Sequence, residues 1–290
     1  VIADIVIKGA TVAPVHNFVK EMQVQPGDVL NVNKLFEDLR SFQDWVLEKH
    51  GIALRPVSLD ITEQGVVEIG VAESTIQEIV IDGNEKTKDH VIRRELTFEP
   101  GDVLDITKIN DSLHKVLMLG HFDEVGYSFV DGETEDSVIV TVNVTERKTG
   151  SADFGAGYSS IDGIFGYVDV SEENFLGNGQ RINVYLELGK GRRSFKLGFY
   201  EPYIDKSGTS FGANIYNEYS NVKGLYPVDE EDPDGEKDTI SGERRKTGGD
   251  ITVGRPLGRY TRGSVTLRVE GNTYSGDIAD YEDPYRSLTL

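Results

Sequence analysis

Apolar residues change their rhythm near residue 149 of this chain. Before that point, short β-branched runs separate stretches whose apolar residues lie three or four apart. After it, almost every segment alternates apolar and polar with period two. In the first part, residues 2–8 and 75–82 read as strands, and shorter helices are expected over 15–22 and 88–96. Leu35, Leu39, Phe42 and Val46 share one face of a helix that starts near Asn33. Ile109, Leu113, Val116 and Leu117 do the same for a helix that starts near Lys108. Gly51 in "KHGI" and Gly120 in "LGHF" stand where a helix ends in a left-handed residue. Closing strands are expected over 52–59 with 66–71, and over 122–130 with 137–145.

This first part repeats itself. "IVIKG" at 5–9 recurs as "IVIDG" at 79–83, and "VQPGDVLNVNKL" at 24–35 recurs as "FEPGDVLDITKI" at 98–109, both with an offset of 74. Two matches in one register imply two copies of a small β-α-α-β-β domain, with helices over one face of a three-stranded mixed sheet. From Leu30 to Gly51 is 21 residues, against 16 from Leu104 to Gly120, so the first copy has the longer second helix. In each PGD turn, proline opens the turn, glycine takes the unusual dihedral and aspartate bonds back to nearby amides. Such a domain offers an open sheet edge to which an extended polypeptide can add through its main chain.

The second part predicts about seven strands: 151–158, 164–171, 180–189, 193–200, 210–220, 250–255 and 262–274. Ile182, Val184, Leu186 and Leu188 oppose Arg181, Asn183, Tyr185 and Glu187. Phe195, Leu197 and Phe199 oppose Ser194, Lys196 and Gly198, and the later strands repeat the pattern. A soluble antiparallel sandwich would bury the apolar face, whereas a transmembrane barrel would turn it to lipid. Local alternation fits both. Three features favour the barrel. The connections "EENFLGNGQ", "EPYIDKSG" and "RPLGRY" fall on one rim and read as its short turns, while "SSIDG", "LGKGRR" and the charged 220–249 stretch, read as a long loop, fall on the other as its longer, polar connections, the usual asymmetry of a membrane barrel. Phe175, Tyr200, Tyr203 and Tyr260 stand where an aromatic girdle would lie. The polar face mixes Asn, Glu, Lys, Arg and Gly, as a wet lumen would. Seven is an odd count for a barrel, and 281–290 shows no strongly alternating closing strand, so the chain is expected to be one cut short.

Composition narrows the chemistry. A net charge of -20 argues against a general nucleic-acid or anionic-lipid surface, which would need a basic patch, but does not exclude a membrane protein, whose water-facing rim or lumen can carry the charge. The chain has no cysteine, and its histidines (His16, His50, His90, His114 and His121) lack metal-site spacing, with His114 and His121 expected at the surface. Carboxylate pairs such as Asp229 and Glu231 lie in a charged stretch and read as solvated. No catalytic, cofactor or metal site is expected. No apolar run reaches 18 residues, so β-strands are the only route by which this chain could span a bilayer.

At this level of detail the chain resembles the Omp85 superfamily, in its BamA-like outer-membrane assembly branch. The repeats, notably "IVIDGN…VIRREL…GDVLDITKINDSLHKVLMLGHFDEV", resemble POTRA domains: 1–73 the penultimate and 74–148 the last, with 149–290 the N-terminal part of the barrel. "TGSADFGAGYSS" and the "NFLGNGQ" turn resemble the family's first barrel strands. "YEPYID" resembles its EPW-type turn with Tyr203 for Trp, and "VGRPL" the next periplasmic turn. The resemblance implies a non-enzymatic assembly factor in the outer membrane, with residues 1–148 in the periplasm. It implies unfolded outer-membrane proteins as substrates, accessory periplasmic lipoproteins and outer-membrane lipid as partners, and no cofactor. The seam and turn candidates it marks are Phe154, Gly155 and Gly157 on the first strand, then Asn174, Phe175, Gly177 and Gly179. Glu201, Pro202, Tyr203, Arg255 and Pro256 complete the set. Gly155 and Gly157 are expected to weaken the first strand's pairing. The family's V-R-G-F/Y loop has no counterpart here, and "GRRS" at 191–194 and "GRYTRG" at 258–263 sit in the wrong context for it. A TamA-like factor or two-partner secretion transporter shares this plan, and a soluble β-sandwich adhesion or scaffold module remains the reading from another class.

Overall fold

The computed structural model describes residues 1–13, 15–227, 237–258, 261–276 and 286–289. The chain forms two compact units, Val1–Arg147 and Lys148–Leu290.

The first unit contains two β-α-α-β-β copies. The first comprises β1 (Asp4–Lys8), α1 (Val15–Phe18), α2 (Val32–His50), β2 (Leu54–Ile61) and β3 (Val66–Glu73). The second comprises β4 (Thr75–Asp82), α3 (Asp89–Arg93), α4 (Ile106–Met118), β5 (Phe122–Asp131) and β6 (Ser137–Glu146). Each sheet is mixed, ordered β1-β3-β2 and β4-β6-β5, with the first strand parallel to the central one. The short helices are briefer than their apolar spacing suggests. The second helices differ by more than a turn, 19 residues against 13.

The repeat extends to hydrogen bonds. Asn31 caps α2 by accepting from the amides of Asn33 and Lys34, and Asp105 caps α4 by accepting from Thr107 and Lys108. The amides of Gly27 and Gly101 donate to the carbonyls of Ile2 and Ile76, at 2.8 and 2.7 Å. Asp28 and Asp102 accept from the amides of Gln25 and Glu99 within the PGD turns. Asp38 accepts from the amides of Gln23 and Val24, and Ser112 from that of Thr97.

Leu35, Leu39, Phe42 and Val46 face the first core, and Ile109, Leu113 and Val116 the second. Each such side chain contributes roughly 1.5–3 kcal/mol by leaving water. Leu117 does not join them: it follows Val116 by about 100° around the helix and is 40% exposed. Gly51 caps α2 with φ 71°, whereas α4 passes through right-handed Leu119 before Gly120 turns left-handed. His121 is buried beside Phe122, which corrects its surface placement. The copies are joined by the bridges Ile52↔Asp105 and Thr75↔Val103, by the Ile106 amide donating to the Gly51 carbonyl at 2.7 Å, and by Arg55 on Asp136 at 2.5 Å.

The second unit is one antiparallel meander: β7 (Gly150–Ser159), β8 (Gly163–Phe175), β9 (Gln180–Gly189), β10 (Arg192–Glu201), β11 (Ser210–Pro227), β12 (Lys237–Pro256), β13 (Arg262–Gly276) and β14 (Arg286–Thr289). Among the described residues there are eight strands rather than about seven, because the short β14 pairs with β13 through Arg268↔Thr289 to Gly271↔Arg286. β7 and β14 are the unjoined ends of the sheet. The 220–249 stretch is mostly strand, since β11 and β12 continue in register from Ser210↔Gly254 to Pro227↔Lys237. On that rim, residues 160–162 and 190–191 close tight hairpins, whereas the opposite rim carries 176–179, 202–209 and 257–261. The expected asymmetry of short and long connections is therefore reversed for these hairpins. Asp229 and Glu231 lie outside the described residues.

Register sorts the two faces. Val168, Leu186, Phe195 and then Val170, Val184, Leu197, Ile215 run across neighbouring strands on one face, continued by Ile251 and Leu267. Leu188 is 70% exposed and Val265 71%, and no second sheet covers this face among the described residues. A sandwich would have buried them. The other face is polar and internally bonded. Tyr185 donates to Glu187 and Tyr216 to Glu270, both at 2.7 Å, and Asn214 Nδ2 donates to Asp250 Oδ1 at 2.8 Å. Lys196 pairs with Glu218 at 2.7 Å.

Candidate functional site: a rim of three turns beside a free edge strand

The residues marked from sequence fall into two groups. Asn174, Phe175, Gly177, Gly179, Glu201, Pro202, Tyr203, Arg255 and Pro256 lie at the β8–β9, β10–β11 and β12–β13 connections, all on the rim where β7 begins. Phe154, Gly155 and Gly157 lie on β7 itself.

The first turn is held by Asn174, which is 1% exposed and accepts from the Gly179 amide at 2.7 Å. Leu176, Gly177 and Gly179 carry φ of 54°, 74° and 68°, so two of these three left-handed positions use the residue that takes them without strain. Glu172 accepts from the Asn174 amide and from the Thr149 hydroxyl, fastening this turn to the start of β7. The second turn is tied to the first by Glu201, which accepts from Gln180 Nε2 at 2.7 Å and from the Tyr203 amide at 2.9 Å. A Cβ on Gly208 would sit 3.4 Å from Pro256 and 3.5 Å from Tyr203, and Arg262 Nη2 donates to the Gly208 carbonyl at 2.9 Å. The third turn therefore docks on the second. Asp205 accepts from the Thr209 side chain and amide and from the Ser207 amide; these bonds, with Arg255 nearby, hold its carboxyl below the usual carboxylate range. Gln180, Gly208 and Arg262 are not among the residues marked from sequence, although Gln180 and Gly208 close the quoted turns "EENFLGNGQ" and "EPYIDKSG" and Arg262 lies in "GRYTRG".

The girdle is only partly as expected. Phe175 and Tyr203 are at the rim, but Tyr200 pairs with Arg181 and Gly212 on the polar face. Phe199 and Phe211 occupy the apolar face near that end instead, and Tyr260 lies outside the described residues.

β7 pairs with β8 through all ten of its residues, from Gly150↔Glu172 to Ser159↔Gly163. Its glycines do more than thin the strand. A Cβ on Gly155 would come 2.7 Å from the Tyr167 ring, and one on Gly157 2.6 Å from the Phe165 ring. The two aromatic side chains of β8 lie over the first strand, and the glycines make room for them. Phe165 and Tyr167 belong to the site, and the sequence signal is an aromatic opposite glycine in a hairpin of known register. Phe154 is 84% exposed on the apolar face.

Two small mixed α+β domains and an open antiparallel sheet with one apolar and one polar face define a POTRA pair followed by transmembrane β-barrel strands, with the barrel incomplete in this chain. An Omp85 superfamily domain matches residues 174–287, and a POTRA family, described as a surface antigen variable number repeat, matches 74–147. The outer membrane protein assembly factor BamA of Neisseria meningitidis serogroup B is 31% identical over 215 residues, covering 72% of this chain and 25% of that protein. Two solved structures share the fold. BamA from Haemophilus ducreyi lacking POTRA domains 1–3 has a TM-score of 0.58 at 21% identity, covering 95% of this chain and 51% of that one. CdiB from Escherichia coli has a TM-score of 0.61 at 17% identity, covering 94% and 51%. The chain thus spans a quarter of the Neisseria protein and about half of each solved chain. It belongs to the Omp85 superfamily as a BamA-like member, an outer-membrane protein with its POTRA segment on the periplasmic side. The family's role is outer-membrane protein assembly or translocation.

Proposed function

We propose that this chain is part of a factor that captures unfolded outer-membrane proteins on its periplasmic POTRA domains (1–73 and 74–148) and promotes their folding and insertion at the seam of the barrel begun by 149–290. No covalent chemistry is involved. Accessory periplasmic lipoproteins and outer-membrane lipid are its other partners. The supporting observation is β7, the first strand of the barrel segment, whose Gly155 and Gly157 carry no side chain and lie beneath the Tyr167 and Phe165 rings of β8. A strand entering hydrocarbon must satisfy its backbone groups first, because each one left bare costs several kcal/mol. A strand edge does so by templating, and β7's own weak point is its small-residue sequence "GSADFGAG". In this reading the linked turns keep the rim rigid while the edge opens.

A photocrosslinking residue in place of Ala152, in the whole protein in cells, tests this. Adducts with precursor outer-membrane proteins during assembly are expected. Adducts only within the protein itself overturn the seam assignment, and adducts with a secreted passenger assign the chain to translocation instead.

A further inference from the structure

The apolar face ends abruptly in a cationic rung. On that face the register runs Leu188↔Arg193↔Tyr219↔Arg245↔Thr273 across five adjacent strands. The rung below it reads Leu186, Phe195, Asn217, Thr247. Both arginines are exposed, and neither has a carboxylate partner among the described residues. The Arg193 guanidinium lies over the Tyr219 ring, 5.6 Å from its centroid. Between the rungs is a groove of about 420 Å³, lined by Leu186, Phe195 and Asn217 of the lower rung and Leu188, Arg193, Tyr219 and Arg245 of the upper, with Glu187 and Ser194 also at its wall. Glu243 shares the face one rung farther out, where the Ser275 hydroxyl donates to it at 3.3 Å.

The height of this rung decides its environment. From Phe211 at the periplasmic rim to Tyr219, eight residues span roughly 27 Å of strand. A tilt of about 40° leaves roughly 20 Å along the membrane normal, against an apolar band about 25 Å tall. The arginine backbones therefore lie about 5 Å short of the outer interface, a distance their extended side chains span to reach the headgroups.

Resting on the membrane-barrel reading, we propose that Arg193 and Arg245 bind the headgroup of an outer-leaflet lipid bearing phosphate monoesters. Its acyl chain lies over Leu186, Leu188 and Phe195. Arginine matches phosphate with paired donors. The two arginines stand on alternate strands, about 10 Å apart at the backbone. That spacing suits a headgroup with two phosphates or a doubly charged one better than a singly charged diester. Tyr219, between them, orients Arg193 by stacking.

The test is native mass spectrometry of the protein extracted from outer membranes in neutral detergent. It is titrated with diphosphoryl lipid A, with phosphatidylglycerol and with phosphatidylcholine. Lipid A is expected to bind at least tenfold more tightly than either other lipid. R193Q/R245Q should lose that preference, R193K/R245K should keep part of it, and the distant surface change K20Q should leave it intact. Equal binding of lipid A and phosphatidylglycerol overturns the monoester assignment. Binding unchanged in R193Q/R245Q overturns the site, and recovery of heat-modifiable mobility on gels verifies that this variant is folded. Failure to recover the native protein in the membrane fraction would sink the membrane reading itself, a different result from a membrane protein that binds no lipid here.

Discussion

The repeat supplies a duplicated experiment on glycine. Gly9 and Gly83 follow the first strand of each POTRA copy with φ of 99° and 89°, and a Cβ there would lie 2.1 and 2.0 Å from the carbonyl oxygens of Val71 and Val144. Gly27 and Gly101, in the PGD turns, have φ of 100° and 97° but nothing within 4 Å of the Cβ position. Alanine at the PGD glycines therefore meets only the left-handed penalty, about 1–2 kcal/mol. Alanine at Gly9 or Gly83 meets that penalty and also a backbone oxygen that must retreat by about an ångström, on the central strand of the sheet. Overpacking of this kind adds about 1–3 kcal/mol. G9A and G83A should thus each cost about 2–5 kcal/mol, and G27A and G101A about 1–2 kcal/mol. Urea unfolding of residues 1–147 measures this. The single tryptophan, Trp45, packs 5.9 Å from Phe18 and reports the first copy, while circular dichroism reports both. If G9A costs no more than G27A, the close approach of β3 to Gly9 is not what requires glycine there, and the reasoning fails.

Three further outcomes come from the same geometry. Burial alone would push the Glu73 carboxyl up, but hydrogen bonds from Thr11 and from the Val12 and Ala13 amides outweigh it and hold it low. Glu146 is held low in the same way by Thr87 and the Lys86 amide, against its burial. Their stabilisation is present above the unfolded carboxylate range near pH 4.3 and is lost as pH falls through the lower folded values, so acid titration of E73Q/E146Q should show a shallower loss than wild type. N174A leaves the buried Gly179 amide without its acceptor, a cost of about 1–3 kcal/mol, visible as a lowered temperature of heat-modifiable mobility in detergent; an unchanged temperature would mean water replaces the side chain. G157L forces the Phe165 ring off β7 and should slow assembly of the protein's own barrel without touching the POTRA unit's urea midpoint.

The POTRA copies are legible because their signal is redundant. The shared offset, the apolar spacing along each second helix and the glycines after them all specify one arrangement, and the strand Thr75–Asp82 falls at its expected bounds. Leu117 escapes because neighbouring apolar residues on a helix cannot both face the core, and sequence spacing does not say which one yields. The rim turns are legible as motifs but not as a linked set. Their bonds, Gln180 to Glu201 and Arg262 to Gly208, join residues brought together only by strand register.

Register also explains why the charged 220–249 stretch reads as a loop yet forms strand. Hydropathy measures what a side chain prefers, whereas a strand is held by backbone hydrogen bonds to its neighbour. Where a sheet rises past the apolar band, both faces meet water and the alternation that marks a membrane strand vanishes, although the ladder continues. Asn221↔Glu243 and Lys223↔Ser241 are such pairs, polar on polar, beyond the rung of Arg193, Tyr219 and Arg245. The last apolar rung and the first cationic one thus mark the same boundary. Below it, sequence pattern reports the lipid. Above it, only pairing with a neighbour already in place extends the strand, so β11 and β12 depend on each other there for a conformation that neither sequence specifies alone.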